Sequence, residues 1–477
     1  MFPFMESLTD SFLGHAWRAL GGDPAFLQNL SVEGSGVLRS AFAVSDLGTA
    51  VFSAAALAVA ELIGTDEPTP AVSVNRALCS AWLKGSARPL GWRPTQPMDP
   101  LSGFYPTSDG RWLRMHMNYP HHAEPTLAII AAEATRESIA AAVAASPADV
   151  IEQSILDGGG ALAASRTMAE WAAHPQGRAV SAEPLVDSTA TGTAPDDGWR
   201  PSPSRPLSGI RVLDVTRVVA GPAATRLLAG FGAEVLRIDP PGFEEPGGRG
   251  ASAGDLTLGK RCARLDLKTD HGRATFLDLL AGADVLVHGL RPGAMDALGL
   301  GAEVRMAARP GLVEVTLDAY GFTGPWSGRR GFDSLIQTAS GMALHSRDVL
   351  GLDKPVFTPV PILDFATGYL MAAAALRGLT TRITEGHGTR WRLALARTAA
   401  ALIAAGQAEP EELIPEPFPG PVDPRIFVTP AGLAQRLIPP FVVGGAGLFW
   451  ERPSELLGSS APVWSGLSRT ERAALVR

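Results

Sequence analysis

Cysteine is nearly absent: Cys79 and Cys262 are the only two in 477 residues. Two thiols in a chain of this length form neither a disulfide framework nor a zinc-ligand pattern, so no resident metal is expected, and the natural setting is reducing and cytoplasmic. An excess of one charge is missing too, with a formal net charge of -7. A mildly acidic chain gives no reason to expect nucleic acid as a partner. The opening MFPFMESLTD has no basic segment followed by an apolar one, so no secretory signal is expected. The most apolar stretch, residues 49–63 (TAVFSAAALAVAELI), is shorter than a membrane span, is rich in Ala and contains Glu61. It reads as a buried core helix, and no membrane partner is expected.

Several chemical signatures are lacking as well. There is no G-x-G-x-x-G, no G-x-x-x-x-G-K-[ST] and no H-E-x-x-H, and the one G-x-S-x-G string, GASAG at 250–254, follows a Pro/Gly-rich stretch rather than a strand-type run, so it forms no nucleophile elbow. Dinucleotide binding, P-loop phosphoryl transfer, serine hydrolysis and zinc proteolysis therefore lack their usual marks. Gly158 to Gly160 is a glycine run without the Lys-Ser/Thr partner of a phosphate loop, and reads as a helix terminator.

What is present fits a globular enzyme of two or three domains, with 46% hydrophobic and 19% charged residues. Residues 187–206 (DSTATGTAPDDGWRPSPSRP) concentrate Pro, Ser and Asp, and read as a linker. After it, strand-type runs at 210–215 (IRVLDV), 233–238 (AEVLRI), 283–287 (ADVLV) and 312–317 (LVEVTL) alternate with helical periodicity at 223–231 and 271–280. A Gly221-Pro222 turn is expected before the first of these helices. This alternation predicts an α/β fold with a parallel sheet, whose ligands bind beyond the carboxyl ends of the strands. The loop 216–222 would then lie at the binding edge.

A weak internal repeat is also visible. FAVSDLGTA (42–50) and VPILDFATG (360–368) each place an aspartate ahead of an Ala-rich helix, followed by a polar turn, a strand and a helix. The plain reading of Asp364 and of Asp46 is a helix N-cap. His121 and His122 sit in an expected loop; neighbouring histidines point apart, so a shared metal is not expected.

Several segments in order, PLSGIRVLDVTRVVAGPAATRLLAGFGAEVLRIDPP, LGKRCARLDLKTDHGRATFLDLLAGADVLVHGLRPGAMDALGL, GFTGPW, RRGFDSLIQTASG and LDFATG, resemble the family III CoA-transferases (CaiB/BaiF type). GFYPTSDGRWLRMHM and AEWAAHPQGRAVSAEPLV resemble that family's small domain more faintly, and here they precede the Rossmann-like part. The resemblance implies a fused, permuted two-copy variant. Its parts would be a partial helical segment (1–100), a small α/β domain (101–186), the linker (187–206), a Rossmann-like domain (207–400) and a Pro/Gly-rich segment (401–477). Family members form interlocked dimers, so the chain is expected to be a monomeric pseudo-dimer or a homodimer.

The resemblance further implies an enzyme that moves CoA from an acyl-CoA to a carboxylic acid, with CoA as substrate and no permanently bound cofactor. Asp364 matches the family nucleophile. Its carboxylate, taken as already ionised at neutral pH, would pass through a mixed anhydride and an aspartyl-CoA thioester. The small residues Ala366, Thr367 and Gly368 would let CoA approach closely. Arg217, Val218, Ala220, Lys260, Arg261 and Arg330 match CoA-contacting positions. The chain departs from the family at Pro240, Gly289 and Ala297, where polar or basic residues are common, which implies weaker CoA contacts and keeps a non-catalytic CoA-ester binder among the alternatives. An isomerase or racemase is the other; Phe332 stands where the racemase branch has its histidine and argues against that reading, leaving Asp333 as a structural cap.

Overall fold

The computed structural model describes residues 7–94, 98–245, 251–408 and 411–466. Six parallel strands form the main sheet, in the spatial order Lys260–Arg264, Glu234–Asp239, Arg211–Val215, Val285–His288, Val313–Asp318, His387–Ala394. The strands run as near-continuous hydrophobics because both faces are covered, as Val285, Leu286 and Val287 illustrate with at most 1% exposure. The chain starts at Arg211–Val215, winds outward to Lys260–Arg264, then returns to the other side through Val285–His288. The order therefore reverses between Arg211–Val215 and Val285–His288, and a crevice opens at their carboxyl ends.

The expected linker is not open chain throughout. Asp187–Thr193 is a seventh strand, paired antiparallel with His387–Ala394 at the sheet edge. Its sequence, DSTATGT, reads as a linker because an edge strand with most of its side chains exposed needs no hydrophobic alternation. The expected Gly221-Pro222 turn is instead the first turn of the helix Ala220–Gly230. Proline is tolerated there because the first N–H groups of a helix have no intrahelical partner. Lys260–Arg264 is a strand that its three basic residues concealed.

Residues before the main sheet build a small antiparallel sheet of Gly103–Pro106, Trp112–Met115 and Leu162–Ala164, with helices against it. The segment after residue 400 is not independent of the N-terminal part. Gly432–Leu437 pairs with Ala87–Pro89, and Phe441–Val443 pairs with Val72–Asn75. The ends of the first and last expected segments, 1–6 and 467–477, lie outside the described residues.

Two long helices, Val44–Ile63 and Ile362–Glu385, pack together at the centre, with the Phe52 and Tyr369 rings 4.1 Å apart. Both are long and apolar enough to cross a membrane, but 100% and 89% of their apolar windows are buried inside the protein. Each carries an aspartate at its third position and is followed by a strand and then a helix. The two aspartates differ in surroundings. Asp46 pairs with Arg76 at 3.0 Å and accepts from the Thr9 hydroxyl, a buried structural link rather than an N-cap.

Candidate functional site

Asp364 stands in the first turn of Ile362–Glu385 and is 7% exposed. Asp333, the first residue of the helix Asp333–Ala339, fixes this turn: its Oδ2 accepts the backbone N–H groups of Leu363 at 2.9 Å and Asp364 at 3.2 Å. Its other oxygen accepts from Gln337 Nε2 at 2.6 Å, and Gln337 is itself tied to Thr358. Asp333 thus caps a helix other than its own.

The two carboxyls interact unfavourably. Burial, and after it the charge of Asp333, hold Asp364 well above the usual carboxylate range. Burial also raises Asp333, against the hydrogen bonds that favour its charge. Like charges this close in a dry site ionise together only with difficulty, so the pair retains a proton where an isolated aspartate would have lost it. The expectation of an Asp364 that is ionised without further condition is corrected accordingly.

Asp364 separates two cavities, and Val218 and Phe332 share this position. The smaller, of about 240 Å³, occupies the crevice at the strand ends, where Thr216 and Gly289 face it. Arg217, Arg291 and Arg330 give it a cationic wall, and Tyr119, His121 and His122 come from the N-terminal part. Arg217 lies 3.8 Å from Asp239 and packs over the Phe243 ring. Burial lowers His122 to about 4, so the imidazole is neutral near neutral pH.

The larger cavity, of about 700 Å³, is mostly apolar. Leu83 and Met98 from the N-terminal part, Leu256, Phe357 and Phe365, and Leu457 from the C-terminal segment contribute to it. His116 enters its wall and stacks on Phe332 with ring centres 3.8 Å apart.

Val218 marks the junction in its backbone as well, with φ at +69°. A β-branched residue in the left-handed region is strained, and such strain concentrates at functional sites. The Val218 N–H donates to Glu245 Oε1 at 3.0 Å, which helps hold it there.

The sequence-predicted residues therefore divide. Arg217, Val218, Ala220, Arg330 and Asp364 converge on the small cavity. Lys260 does not: it is fully buried, and its ammonium donates to Asp214, Thr225 and the Pro222 carbonyl. Arg261 donates to the carbonyls of Val463 and Ala461, also away from the cavity. Gly368 lines neither cavity; it lies inside the helix, where an added Cβ would stand 2.4 Å from the Ala220 carbonyl oxygen. Sequence reasoning missed Arg291 as a cavity residue, although it opens the RPG motif, and gave no role to His116.

The region that builds this crevice matches the family model described as CoA-transferase family III over residues 207–430. The probable fatty acyl-CoA transferase Rv3272 of Mycobacterium tuberculosis is 33% identical over 234 residues, 46% of this chain and 59% of that protein. The succinyl-CoA–L-malate CoA-transferase alpha subunit of Chloroflexus aurantiacus is 38% identical over 230 residues, 45% of this chain and 51% of that protein. Human succinyl-CoA:glutarate CoA-transferase is 32% identical over 193 residues, 39% of this chain and 44% of that protein. The chain thus spans about half the length of these curated relatives. The crystal structure of Rv3272 is similar at 34% identity with a TM-score of 0.39, covering 43% of this chain and 58% of that one. Residues 207–430 are thus similar to CoA-transferase family III, both by the family model and by these relatives.

Proposed function

We propose that this protein is a CoA-transferase that moves CoA from an acyl-CoA to a carboxylic acid, with Asp364 as the nucleophile. One observation carries the reading: a buried carboxyl stands between a cationic crevice and a large apolar cavity. The crevice suits the phosphates and pantetheine of CoA, through Arg217, Arg291 and Arg330. The apolar cavity suits the acyl part.

The reaction is then a chain of acyl substitutions. An oxygen of ionised Asp364 attacks the thioester carbonyl, the C–S bond breaks, and CoA thiolate leaves an aspartyl mixed anhydride. Thiolate attacks the aspartyl carbonyl carbon, releasing the donor as its carboxylate and forming aspartyl-CoA. The acceptor carboxylate attacks that thioester carbonyl and frees thiolate again. Thiolate finally attacks the acceptor's carbonyl in the second anhydride, restoring the Asp364 carboxylate. Burial of the junction protects the anhydrides from water. Deprotonation of the Asp333–Asp364 pair precedes the first attack.

The packing of Val44–Ile63 along Ile362–Glu385 supports the further reading of an internal pseudo-dimer. In that reading the N-terminal and C-terminal parts supply the walls that a partner would otherwise provide.

Mass spectrometry after mixing the protein with acyl-CoA esters and quenching with hydroxylamine tests the mechanism. An aspartyl anhydride or thioester becomes a hydroxamate, shifting the mass of the Asp364 peptide. The shift is expected in the natural protein and absent in Asp364→Ala. Binding of acyl-CoA without any shift would overturn the covalent mechanism for those esters.

A further inference from the structure

Arg114 lies on the strand Trp112–Met115, outside the region matched by the family model, and lines the large cavity. It is 5% exposed. Its Nε has no hydrogen-bond partner, and no carboxylate pairs with the side chain among the described residues. Other buried arginines differ: Arg166 meets Glu152 at 2.9 Å, Arg237 meets Asp239 at 2.8 Å, and Arg76 meets Asp46 at 3.0 Å. Arg88, in the same cavity wall, donates to the carbonyls of Gly85 and Ala87.

Around Arg114 are aromatic faces. Its guanidinium carbon is 5.1 Å from the centre of the Phe357 ring and 5.8 Å from that of Phe104. Burial pulls its pKa down to about 10, which still leaves it charged at neutral pH. A cation held in an apolar wall with no counter-charge is costly unless a ligand supplies one. The planar fork of a guanidinium matches a carboxylate in bidentate fashion.

Position adds the second half of the argument. His116, two residues along, stacks on Phe332, which borders both cavities together with Asp364. Arg114 lines the large cavity and not the small one, and two residues of extended chain span roughly 7 Å, so it stands on the apolar side of the junction. We infer that Arg114 receives the distal carboxylate of a dicarboxylic acid with an apolar spacer, whose other carboxyl group faces Asp364. This rests on the CoA-transferase reading and narrows its substrate class.

Calorimetric titration of the full chain with octanedioate and octanoate tests the assignment, using Arg114→Met and Arg114→Lys beside the natural protein. The natural protein should bind the diacid more tightly. Arg114→Met should weaken diacid binding roughly tenfold or more, leaving octanoate and CoA unchanged, with Arg114→Lys intermediate. Its melting temperature should not fall, because an unpaired buried charge has been removed. Equal loss for both acids, weaker CoA binding, a lowered melting temperature, or preference of the natural protein for octanoate would each overturn the inference. CoA transfer to the same acids is assayed in parallel. Arg114-dependent diacid binding without transfer to either acid would sink the CoA-transferase reading and leave the dicarboxylate site standing.

Discussion

The Oδ2 atom of Asp333 lies 3.2 Å from the backbone nitrogen of Asp364, where it caps one helix turn and opposes the charge of the carboxyl in that turn. The two effects separate in Asp333→Asn. The amide oxygen can still accept the Leu363 and Asp364 N–H groups, while the like charge is gone. In the proposed mechanism only ionised Asp364 attacks, so hydroxylamine-trapped product should rise with pH along an acid limb set by its raised pKa. Without Asp333's charge that pKa falls, and the limb should move to lower pH. A limb that stays in place would assign the raised pKa to burial alone.

Lys260, which matched a CoA-contacting position in the sequence, is a buried structural residue, whereas Arg291 lines the cationic crevice. The Lys260 ammonium lies 3.0 Å from Asp214, and neither side chain has any exposed surface. Lys260→Met leaves a buried carboxylate unpaired and should cost about 3–5 kcal/mol of stability in urea unfolding. Arg291→Ala, in the cationic crevice, should instead leave the unfolding midpoint within about 0.5 kcal/mol and weaken CoA binding. Equal effects of the two changes on stability would contradict this division.

The central sheet was legible because buried parallel strands are written as continuous hydrophobic runs, as in IRVLDV and LVEVTL. Asp187–Thr193 was not, because an exposed edge strand has no such run. Within the site, sequence located Asp364 and the Arg217 loop, which belong to local turns at strand and helix ends. It could not show that Lys260 turns inward under the helix Ala220–Gly230, nor that Arg114 and Leu457 wall one cavity. Those facts depend on the pairing of segments hundreds of residues apart, such as Ala87–Pro89 with Gly432–Leu437.

Gly368 is a packing requirement at the contact of two helices. A Cβ there would meet the Ala220 carbonyl oxygen at 2.4 Å, and a backbone atom cannot rotate aside. Gly368→Ala should therefore force the helices Ile362–Glu385 and Ala220–Gly230 apart, at a cost of about 1–3 kcal/mol. Asp364 is one helical turn away, so Asp364 labelling should slow as well. Unchanged or increased stability in thermal unfolding would show that the helices separate freely.

Asp318 carries the clearest pH signature. It accepts the N–H groups of Tyr320 and Gly321 at 2.9 Å, yet burial raises it to about 7. Between about pH 4 and pH 7 the unfolded chain has released this proton while the folded chain keeps it. The contribution is fully present below the ordinary carboxylate range and is lost as pH rises through 7. His116 and His122, lowered by burial to about 3 and about 4, act in the opposite direction over part of this window, so the natural protein's curve alone is a mixture. The informative quantity is the difference from Asp318→Asn, whose amide oxygen can keep both N–H bonds. Natural minus variant stability should fall by on the order of a few kcal/mol from pH 4 to pH 7, then level off. A flat difference would mean that Asp318 ionises in the folded protein as readily as in the unfolded chain.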